Sequence, residues 1–390
     1  MLRNFIVALT ALVALQLPAH AQQALGGGSD LTSPEIHADH SVTFRLEAPG
    51  ASEVLLSGEW MPVEGWTPGS AAMQKGDGGV WTYTTEPLES ELYGYFFMVD
   101  GLRVTDPGNP FLSRDIATVS NIFIVKGTPG DLYRVQDVPH GTVARRWYDS
   151  PSLGMDRRLT IYTPPGYESS GETYPVLYLL HGAGGDEEAW PGKGRAAQIM
   201  DNLIASGKAT PMIVVMPNGN VIQDAAPGAG SDGFYTPRFM VPKTMDGTFE
   251  ETFPDIMQFV ESHYRVKADK AHRAVAGLSM GGFHSMHISR YYPDTFDYIG
   301  LFSAAILPSQ NSESAVYREI DATLKRQMEN GYKLYWIGIG RSDFLYQNNV
   351  QYKDKLEAMG MPHLFVESDG GHIWKNWRAY LSAFVPQIFQ

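Results

Sequence analysis

The chain has 390 residues, of which 43% are apolar and 19% charged, enough for about two domains with packed cores. Its formal charge of −13 argues against a nucleic-acid-binding protein, whose binding surface would be basic, and against docking on anionic lipid. The absence of cysteine from the sequence excludes disulfides, thiolate nucleophiles and cysteine-bound zinc.

Residues 1–21 have the pattern of an export signal. Arg3 supplies positive charge, an apolar stretch follows from residue 5 to residue 17, and Ala19-His20-Ala21 forms a small-x-small cleavage site. The apolar stretch is too short to span a bilayer comfortably, which disfavours a membrane anchor. We therefore expect the protein to be secreted or periplasmic, with no membrane segment after cleavage.

Residues 22–34 are glycine-rich and lack periodicity, which predicts a flexible start. From 35 to 127, short alternating runs are separated by Gly, Pro and Asp clusters about every ten residues, a pattern typical of an immunoglobulin-like β-sandwich. Asp100-Gly101 predicts a tight hairpin between two of its strands. Residues 128–141 are interpreted as a linker. The predicted strands are Val42–Leu46, Glu53–Ser57, Val80–Thr84, Tyr93–Val99 and Ile122–Val125.

Residues 142–390 change character, because short apolar runs now alternate with helical stretches. This alternation predicts a parallel sheet with crossover helices, and hence an α/β domain. Thr248 and Glu251 have the spacing of a capping box and predict where one helix begins. The predicted strands are Leu159–Thr163, Val176–His181, Met212–Pro217, Arg273–Gly277, Ile299–Ser303, Leu334–Ile339 and Leu364–Glu367.

A candidate nucleophile lies in the segment Gly277-x-Ser279-x-Gly281. The segment follows an apolar strand and precedes a helical pattern, which is the context that a nucleophile elbow requires. Five-residue matches of this kind also arise by chance in glycine-rich chains. The strand, the helix and the additional Gly282 favour the elbow, with Ser279 as the catalytic nucleophile.

A nucleophilic serine needs a base and an acid that orients it, in the chain order Ser, Asp or Glu, His for this arrangement. His372 follows the last predicted strand and is the expected base, so activity should fall on acidification as it becomes protonated. Asp343 follows the strand at 334–339 and is the expected acid. Asp369 is a rival, but it lies only three residues before His372.

An oxyanion hole would combine the backbone N–H of Met280 with one from the loop His181–Gly185. We favour the Ala183 N–H, with Gly184 as an alternative. His181 is interpreted as a buttress of this loop rather than a second base. The acidic run at 186–188 is interpreted as a solvated loop.

No metal or cofactor is predicted. His284 and His287 are three residues apart on the helix after Ser279, but the sequence shows no carboxylate near them on that face. The chain has no phosphate-binding loop and no dinucleotide fingerprint.

Together these segments resemble carbohydrate esterase family 1, especially bacterial feruloyl esterases, over about residues 138 to 390. The resemblance implies an α/β-hydrolase fold, metal-free serine esterase chemistry and ester-decorated plant polysaccharides as substrates. It carries the family's triad onto Ser279, Asp343 and His372. The matching pieces are Pro139–Gly141, Tyr162–Tyr167, His181–Gly185 with Trp190, Gly194–Ala196, Met216–Asn218, Gly277–Gly282, Gly340 with Asp343, and Gly371-His372 with Trp374 and Trp377.

Residues 35–127 are similar to the early-set sandwich of carbohydrate-binding module family 48, through Val54–Gly58 with Trp60 and through Gly79–Trp81 before Tyr93. Trp81 is expected in the core. Trp60 and Trp66 fit sugar stacking and simple packing equally well.

The expected activity is therefore hydrolysis of feruloyl esters on xylan or arabinoxylan. Trp190, Tyr235, Phe239 and Trp374 are the residues expected to cradle the phenolic acid. The alternatives are an acetyl-xylan or other short-chain esterase, an enterochelin-type esterase, which the shortage of positive charge disfavours, and a non-catalytic glycan-binding protein. The acyl group, the polysaccharide, sugar binding by the sandwich and the oligomeric state stay open.

Overall fold

The computed structural model describes residues 31–64, 67–306 and 313–390. The predicted export signal and Trp66 lie outside these residues, and so does most of the predicted flexible start. Ser33, from the end of that start, is buried and donates a hydrogen bond to Asp106 over 2.5 Å. Across the described ranges, no helix is both long and apolar enough to cross a bilayer.

The N-terminal domain consists of two antiparallel sheets. Where the chain is described, their strand orders are β1-β2-β8-β7 and β11-β12-β9-β3-β6, with β10 paired to β9 and a separate β4–β5 pair. The strands are β1 (Glu35–Ile36), β2 (Val42–Glu47), β3 (Val54–Gly58), β4 (Val63–Glu64), β5 (Thr67–Pro68), β6 (Ser70–Ala72), β7 (Gln74–Lys75), β8 (Val80–Thr84), β9 (Leu92–Val99), β10 (Leu102–Val104), β11 (Leu112–Asp115) and β12 (Thr118–Ile124).

Alternating side chains of these strands form an aromatic core between the two sheets. Phe44 and Tyr95 are fully buried at its centre. Trp81 is buried as predicted, and Trp60 stacks on Phe44 with 5.4 Å between ring centroids. For Trp60, the structure therefore favours packing over sugar stacking.

The predicted hairpin at Asp100-Gly101 is confirmed. Leu102 pairs with Val99, and both turn residues have left-handed backbone angles, with φ of +47° and +83°. Asn-Gly and Asp-Gly pairs favour this two-residue turn because its twist matches that of the strands.

The C-terminal domain is built on a sheet of eight strands among the described residues, in the order β13-β14-β16-β15-β17-β18-β19-β20. The last six in that order are parallel, as predicted, whereas β13 and β14 pair in an antiparallel manner. The strands are β13 (Thr142–Ser150), β14 (Met155–Thr163), β15 (Val176–Leu180), β16 (Ile213–Pro217), β17 (Arg273–Leu278), β18 (Tyr298–Phe302), β19 (Leu334–Gly340) and β20 (Leu364–Ser368).

Helices cover both faces of this sheet. Leu177 and Leu179 of β15 pack on the side of α3 and α8, while Tyr178 and Leu180 pack on the side of α4 to α7. Strands buried on both faces explain the continuous apolar runs in the sequence. The helices are α1 (Gly130–Tyr133), α2 (Ala189–Gly192), α3 (Ala196–Ala205), α4 (Thr248–His263), α5 (Met280–Tyr291), α6 (Ile320–Asn330), α7 (Tyr346–Ala358) and α8 (Trp374–Phe384).

The start of α4 corrects the predicted capping box. The helix begins at Thr248, whose backbone N–H donates to Asp246 Oδ1 over 3.0 Å. The N-cap residue is Gly247 rather than Thr248, and the Glu251 carboxylate accepts a hydrogen bond from Ser314. An Asp two residues upstream thus satisfies a free N–H of the first turn.

The two domains are joined by buried polar contacts. Arg378 of α8 forms a 3.0 Å ion pair with Glu91, next to β9, and both side chains are buried. The predicted linker is also docked, since the Asn202 side chain of α3 donates to the carbonyls of Leu132 and Arg134. The sandwich and the linker therefore contact the α/β domain at α8 and α3.

Candidate active site

Ser279 lies in the turn between β17 and α5, at the carboxyl edge of the parallel sheet. Its backbone has φ +53° and ψ −113°, which is a strained conformation for a residue with a side chain. The strain is held in place because Ser279 N–H donates to Phe302 and its carbonyl accepts from Phe283 and Ala305. Ser279 is 8% exposed.

Two flanking glycines make this turn possible. A Cβ on Gly277 would lie 2.5 Å from the backbone of Gly281, and one on Gly281 would lie 2.4 Å from Leu180 O. Any side chain at either position would push the strand away from the helix. The Gly-x-Ser-x-Gly spacing is therefore a packing requirement of this elbow.

His372 and Asp343 are in direct contact after β20 and β19. His372 Nδ1 is 2.9 Å from Asp343 Oδ2 and 3.1 Å from Oδ1. Asp343 Oδ1 also accepts the N–H of Leu345, so the carboxylate is fixed from the backbone side. A carboxylate acceptor at Nδ1 places the proton there and leaves Nε2 free to accept one.

The three predicted triad residues follow neighbouring strands of one sheet edge. The order β17-β18-β19-β20 separates the Ser279 strand from that of Asp343 by one strand and from that of His372 by two. The carboxyl ends of parallel strands form the crevice where ligands bind in open α/β sheets. The predicted residues thus converge on one edge, and their catalytic roles remain a prediction.

The loop after β15 lies against the elbow. A Cβ on Gly182 would be 3.3 Å from Ser279 Cβ, which places the next residue, Ala183, beside the nucleophile. Met280 is the first residue of α5, and first-turn N–H groups have no acceptor within their own helix. Met280 is thus adjacent to Ser279 in the chain, and Ala183 belongs to the loop that packs against it.

His181 is a buttress of this loop, as predicted. Its Nε2 accepts the N–H of Gly219 over 2.8 Å, so its Nδ1 carries the proton and donates to Gly182 O over 2.7 Å. Burial lowers the pKa of His181 to about 4. With both ring nitrogens engaged, the imidazole holds two loops together and is not available as a base.

Comparison with known proteins agrees with this geometry. The model of the family described as "Putative esterase" matches residues 150–388. The chain belongs to this esterase family. An endo-1,4-beta-xylanase/feruloyl esterase of Xylanibacter ruminicola is 36% identical over 366 residues, which is 92% of this chain and 46% of that protein. The esterase thus spans less than half the length of that relative.

Solved structures share the fold. A ferulic acid esterase of carbohydrate esterase family 1 from the fungus Anaeromyces mucronatus matches with a TM-score of 0.55 and 26% identity, covering 67% of this chain and 96% of that one. An enterobactin esterase from Shigella flexneri matches with a TM-score of 0.61 and 16% identity, covering 89% and 92%. The prediction of an α/β-hydrolase fold is confirmed, and the family match agrees with the prediction of a serine ester hydrolase. The likeness of the sandwich to family 48 modules stays a prediction.

The acidic run at 186–188 was predicted to be a solvated loop, and the structure corrects this. The run directly follows the loop His181–Gly185, which we call the oxyanion loop. Asp186 and Glu187 are both buried in the esterase. Asp186 pairs with Arg114 over 2.5 Å, and Glu187 pairs with Arg158 over 2.6 Å. Burial raises the pKa of Glu187. The two carboxylates therefore anchor the acidic run inside the protein. Their cationic partners come from distant parts of the chain.

The helix behind Ser279 carries a second correction. His284 has a carboxylate partner, since Glu250 of α4 lies 2.8 Å from its Nδ1 and both residues are buried. His287 accepts a hydrogen bond from Arg290 instead. Among the described residues, no group of three or more His, Asp or Glu side chains has the arrangement of a metal site.

Two of the four aromatic residues predicted to cradle the substrate belong to the core. Trp190 is 1% exposed, and its indole N–H donates to Leu180 O, which places this side chain in the core rather than on a surface open to substrate. Trp374 is also buried, packing on Trp190 with 5.5 Å between centroids and donating to Asp115. An aromatic residue that packs in the core and one that binds a ligand look the same in the sequence, so the burial of these two could not be predicted.

The other two lie in the long loop after β16, on the same sheet edge as Ser279. Tyr235 is half-buried and donates to Ala225 O, whereas Phe239 is 62% exposed. Phe344, which was not selected from the sequence, is 56% exposed and packs against His372 with 4.7 Å between ring centroids and an interplanar angle of 55°. Its position directly after Asp343 was the signal available in the sequence.

Proposed function

We propose that the esterase hydrolyses feruloyl and related hydroxycinnamoyl esters on plant cell-wall xylan or arabinoxylan, through Ser279, His372 and Asp343. The observation that carries the proposal is the Asp343–His372 pair at 2.9 Å, held on the same sheet edge as the strained Ser279. The acyl group is proposed from the feruloyl esterase relative that aligns with 92% of this chain.

The chemistry is a two-step acyl transfer. His372 Nε2 takes the proton of Ser279 Oγ as that oxygen attacks the ester carbonyl, while Asp343 holds the imidazole and stabilises the imidazolium. The N–H groups of Ala183 and Met280 stabilise the oxyanion. His372 then protonates the departing sugar oxygen, and water, activated by the same imidazole, releases the acid from Ser279.

The surroundings of His372 suit an aromatic acyl group. Phe344 lies on one side of the imidazole, and Trp377 contacts it edge-on at 4.9 Å between centroids. Phe344 is 56% exposed and offers apolar surface beside His372. The loop with Tyr235 and Phe239 leaves the same edge of the sheet after β16. An aromatic ring can pack there in an offset or edge-to-face arrangement.

We propose export on the basis of the signal pattern at residues 1–21. A polymeric cell-wall substrate is itself outside the cell, so export and substrate are consistent. N-terminal sequencing of protein recovered from the periplasm or medium of the producing cells should give a sequence that begins at Gln22. An intact N-terminus at Met1 would contradict export by this route.

A substrate panel tests the proposal. The purified protein is assayed with methyl ferulate, 4-nitrophenyl acetate, and xylo-oligosaccharides carrying either feruloyl or acetyl groups. We expect ferulate release, with kcat/KM for feruloylated oligosaccharides exceeding that for acetylated ones. Preference for acetyl groups would favour the short-chain alternative, which an acetyl esterase relative, 24% identical over 54% of this chain, keeps open. Xylan binding without any turnover would overturn the esterase proposal.

A further inference from the structure

The tip of the β11–β12 hairpin reaches from the sandwich into the candidate active site. Three consecutive residues of this hairpin each contact a different residue of the α/β domain. Arg114 Nη2 lies 2.5 Å from Asp186 Oδ2, and Asp115 Oδ2 accepts the Trp374 indole N–H over 3.1 Å. The first contact reaches Asp186, the residue directly after the loop His181–Gly185, and the second reaches the start of α8, two residues after His372.

The third residue, Ile116, covers the apex of the oxyanion loop. A Cβ built on Gly184 would lie 2.8 Å from Ile116 Cγ2 and 2.9 Å from Cγ1. The isoleucine therefore fills the space directly over Gly184, the residue after Ala183. Gly184 has a left-handed backbone with φ +74°, so only a residue without a side chain fits both the turn and this close neighbour.

The hairpin holds Ile116 in a conformation that its side chain disfavours. Its φ is +52°, which is an outlier for a β-branched residue. Arg114 Nη1 donates to Ile116 O over 3.0 Å, and Asp115 pairs with Thr118 across the turn. Local strain of this kind persists where the surroundings enforce it, and it concentrates at functional sites.

The rest of the oxyanion loop is fixed on both sides of its apex. Gly185 N–H donates to Gly182 O, and Asn220 donates to Gly185 O over 2.8 Å. Ala183 and Gly184 form the apex between these anchors. Ile116 contacts that apex from the side of the sandwich, next to the Ala183 N–H that the proposed mechanism uses.

We propose that Ile116 is a positioning residue, which holds the Ala183–Gly184 apex so that the Ala183 N–H is directed at the ester oxyanion. This inference rests on the proposed serine esterase mechanism. It gives the sandwich a part in the chemistry of any ester, including small ones, independent of polysaccharide binding.

The test compares Ile116→Ala with Val119→Ala, which shortens an exposed residue of the same hairpin. Each is assayed on 4-nitrophenyl acetate and on its thionoester, in which sulfur replaces the carbonyl oxygen. Sulfur accepts hydrogen bonds more weakly, so a misdirected N–H slows the oxygen ester more.

For Ile116→Ala we expect kcat on the oxygen ester to fall about tenfold or more with KM changed less than about twofold. The ratio of oxygen-ester to thionoester kcat should fall, and Val119→Ala should match the wild type.

Equal slowing of both esters, or an unchanged oxygen-ester kcat, would overturn the proposal. Circular dichroism checks that Ile116→Ala is folded. If it is not, Ile116→Val and Gly184→Ala replace it. Ile116→Val keeps a branched contact and should retain the ratio, whereas Gly184→Ala forces the apex away from Ile116 and should lower it. A wild type that cleaves 4-nitrophenyl acetate but releases no ferulate would contradict the proposed acyl preference and leave the test of Ile116 intact.

Discussion

Asp343 and Asp369 are the two candidate carboxylate partners of His372, and their environments differ sharply. The Asp343 side chain is buried and accepts from His372, whereas that of Asp369 is fully exposed and pairs with Arg341 over 3.2 Å. Only Asp343 can fix the imidazole so that Nε2 is free to accept a proton.

We therefore expect Asp343→Asn to lower kcat by about 10⁴-fold, because an amide that donates to Nδ1 holds the wrong tautomer. Asp369→Asn is the matched control and should stay within about twofold of the wild type. Steady-state kinetics on methyl ferulate measure both. A large loss in Asp369→Asn with little loss in Asp343→Asn would reverse the assignment.

His181 gives the esterase a predictable response to acid. Its folded-state pKa of about 4 lies below the ordinary histidine value of about 6.5, because burial disfavours the cation. Between these values the unfolded chain binds a proton that the folded protein does not, so acidification through this window favours unfolding.

Urea unfolding at pH 7 and pH 4.5 tests this point in the wild type and in His181→Asn. The wild type should lose on the order of 2 kcal/mol more stability than the variant on going to the lower pH. Burial also lowers the pKa of His287, and that contribution is common to both proteins. Equal losses would show that His181 does not carry the effect.

At the scale of elements, a buried carboxylate holds the segment that directly follows the oxyanion loop. Glu187 Oε1 accepts from Arg158 Nε over 2.6 Å and from Ala226 N–H over 2.8 Å, while Oε2 accepts from Asn218 over 3.0 Å. Every partner is a donor, so the site suits a carboxylate and not an amide.

Glu187→Gln should therefore cost about 3–5 kcal/mol of the free energy of unfolding, since it breaks a buried ion pair and turns an amide donor toward other donors. Glu357→Gln, on the exposed pair with Lys353 in α7, is the control and should cost less than about 1 kcal/mol. Denaturant titration measures both. Similar costs for the two variants would contradict the anchoring role of Glu187.

Individual elements show which structural features can be predicted from the sequence and which cannot. Strands such as β15 and β17 are buried on both faces, so their continuous apolar runs predict them directly. The edge strand β13 was missed because its exposed positions interrupt any apolar run. The acidic run was misread because its cationic partners, Arg114 and Arg158, come from other elements and leave no local signal.

At the scale of the whole molecule, two ion pairs between described residues connect α8 to the sandwich. Arg378–Glu91 is buried, whereas Lys375–Glu89 is exposed with a distance of 2.8 Å. Arg378 also donates to the carbonyls of Lys193 and Leu92. Desolvation raises the pKa of Glu91 despite the neighbouring guanidinium, so the carboxylate depends on Arg378 for compensation.

Arg378→Met should lose about 3–5 kcal/mol, because it leaves a buried carboxylate without its partner. Lys375→Met removes a surface pair from the same helix and the same interface, and should lose less than about 1 kcal/mol. Denaturant unfolding of the two variants measures the difference. Equal stability of both would mean that the interface does not depend on the buried pair.

Sequence patterns predicted both domains but not how they meet. The candidate triad could be selected from sequence because the elbow is a local motif and its three residues follow successive strands of one sheet. The contact of Ile116 with Gly184 and the ion pair of Arg378 with Glu91 join residues that are far apart in the chain. Local sequence patterns therefore do not predict them. The aromatic residues of the site were only partly predictable, since Trp190 and Phe239 look alike in sequence but differ completely in exposure.

The central claim is that Ser279 is the nucleophile of an ester hydrolase, and the kcat of Ser279→Ala on methyl ferulate tests it most directly. The account predicts a loss on the order of 10⁴-fold or more in a variant whose circular dichroism matches the wild type. Hydrolysis at close to the wild-type rate by that folded variant would contradict the account.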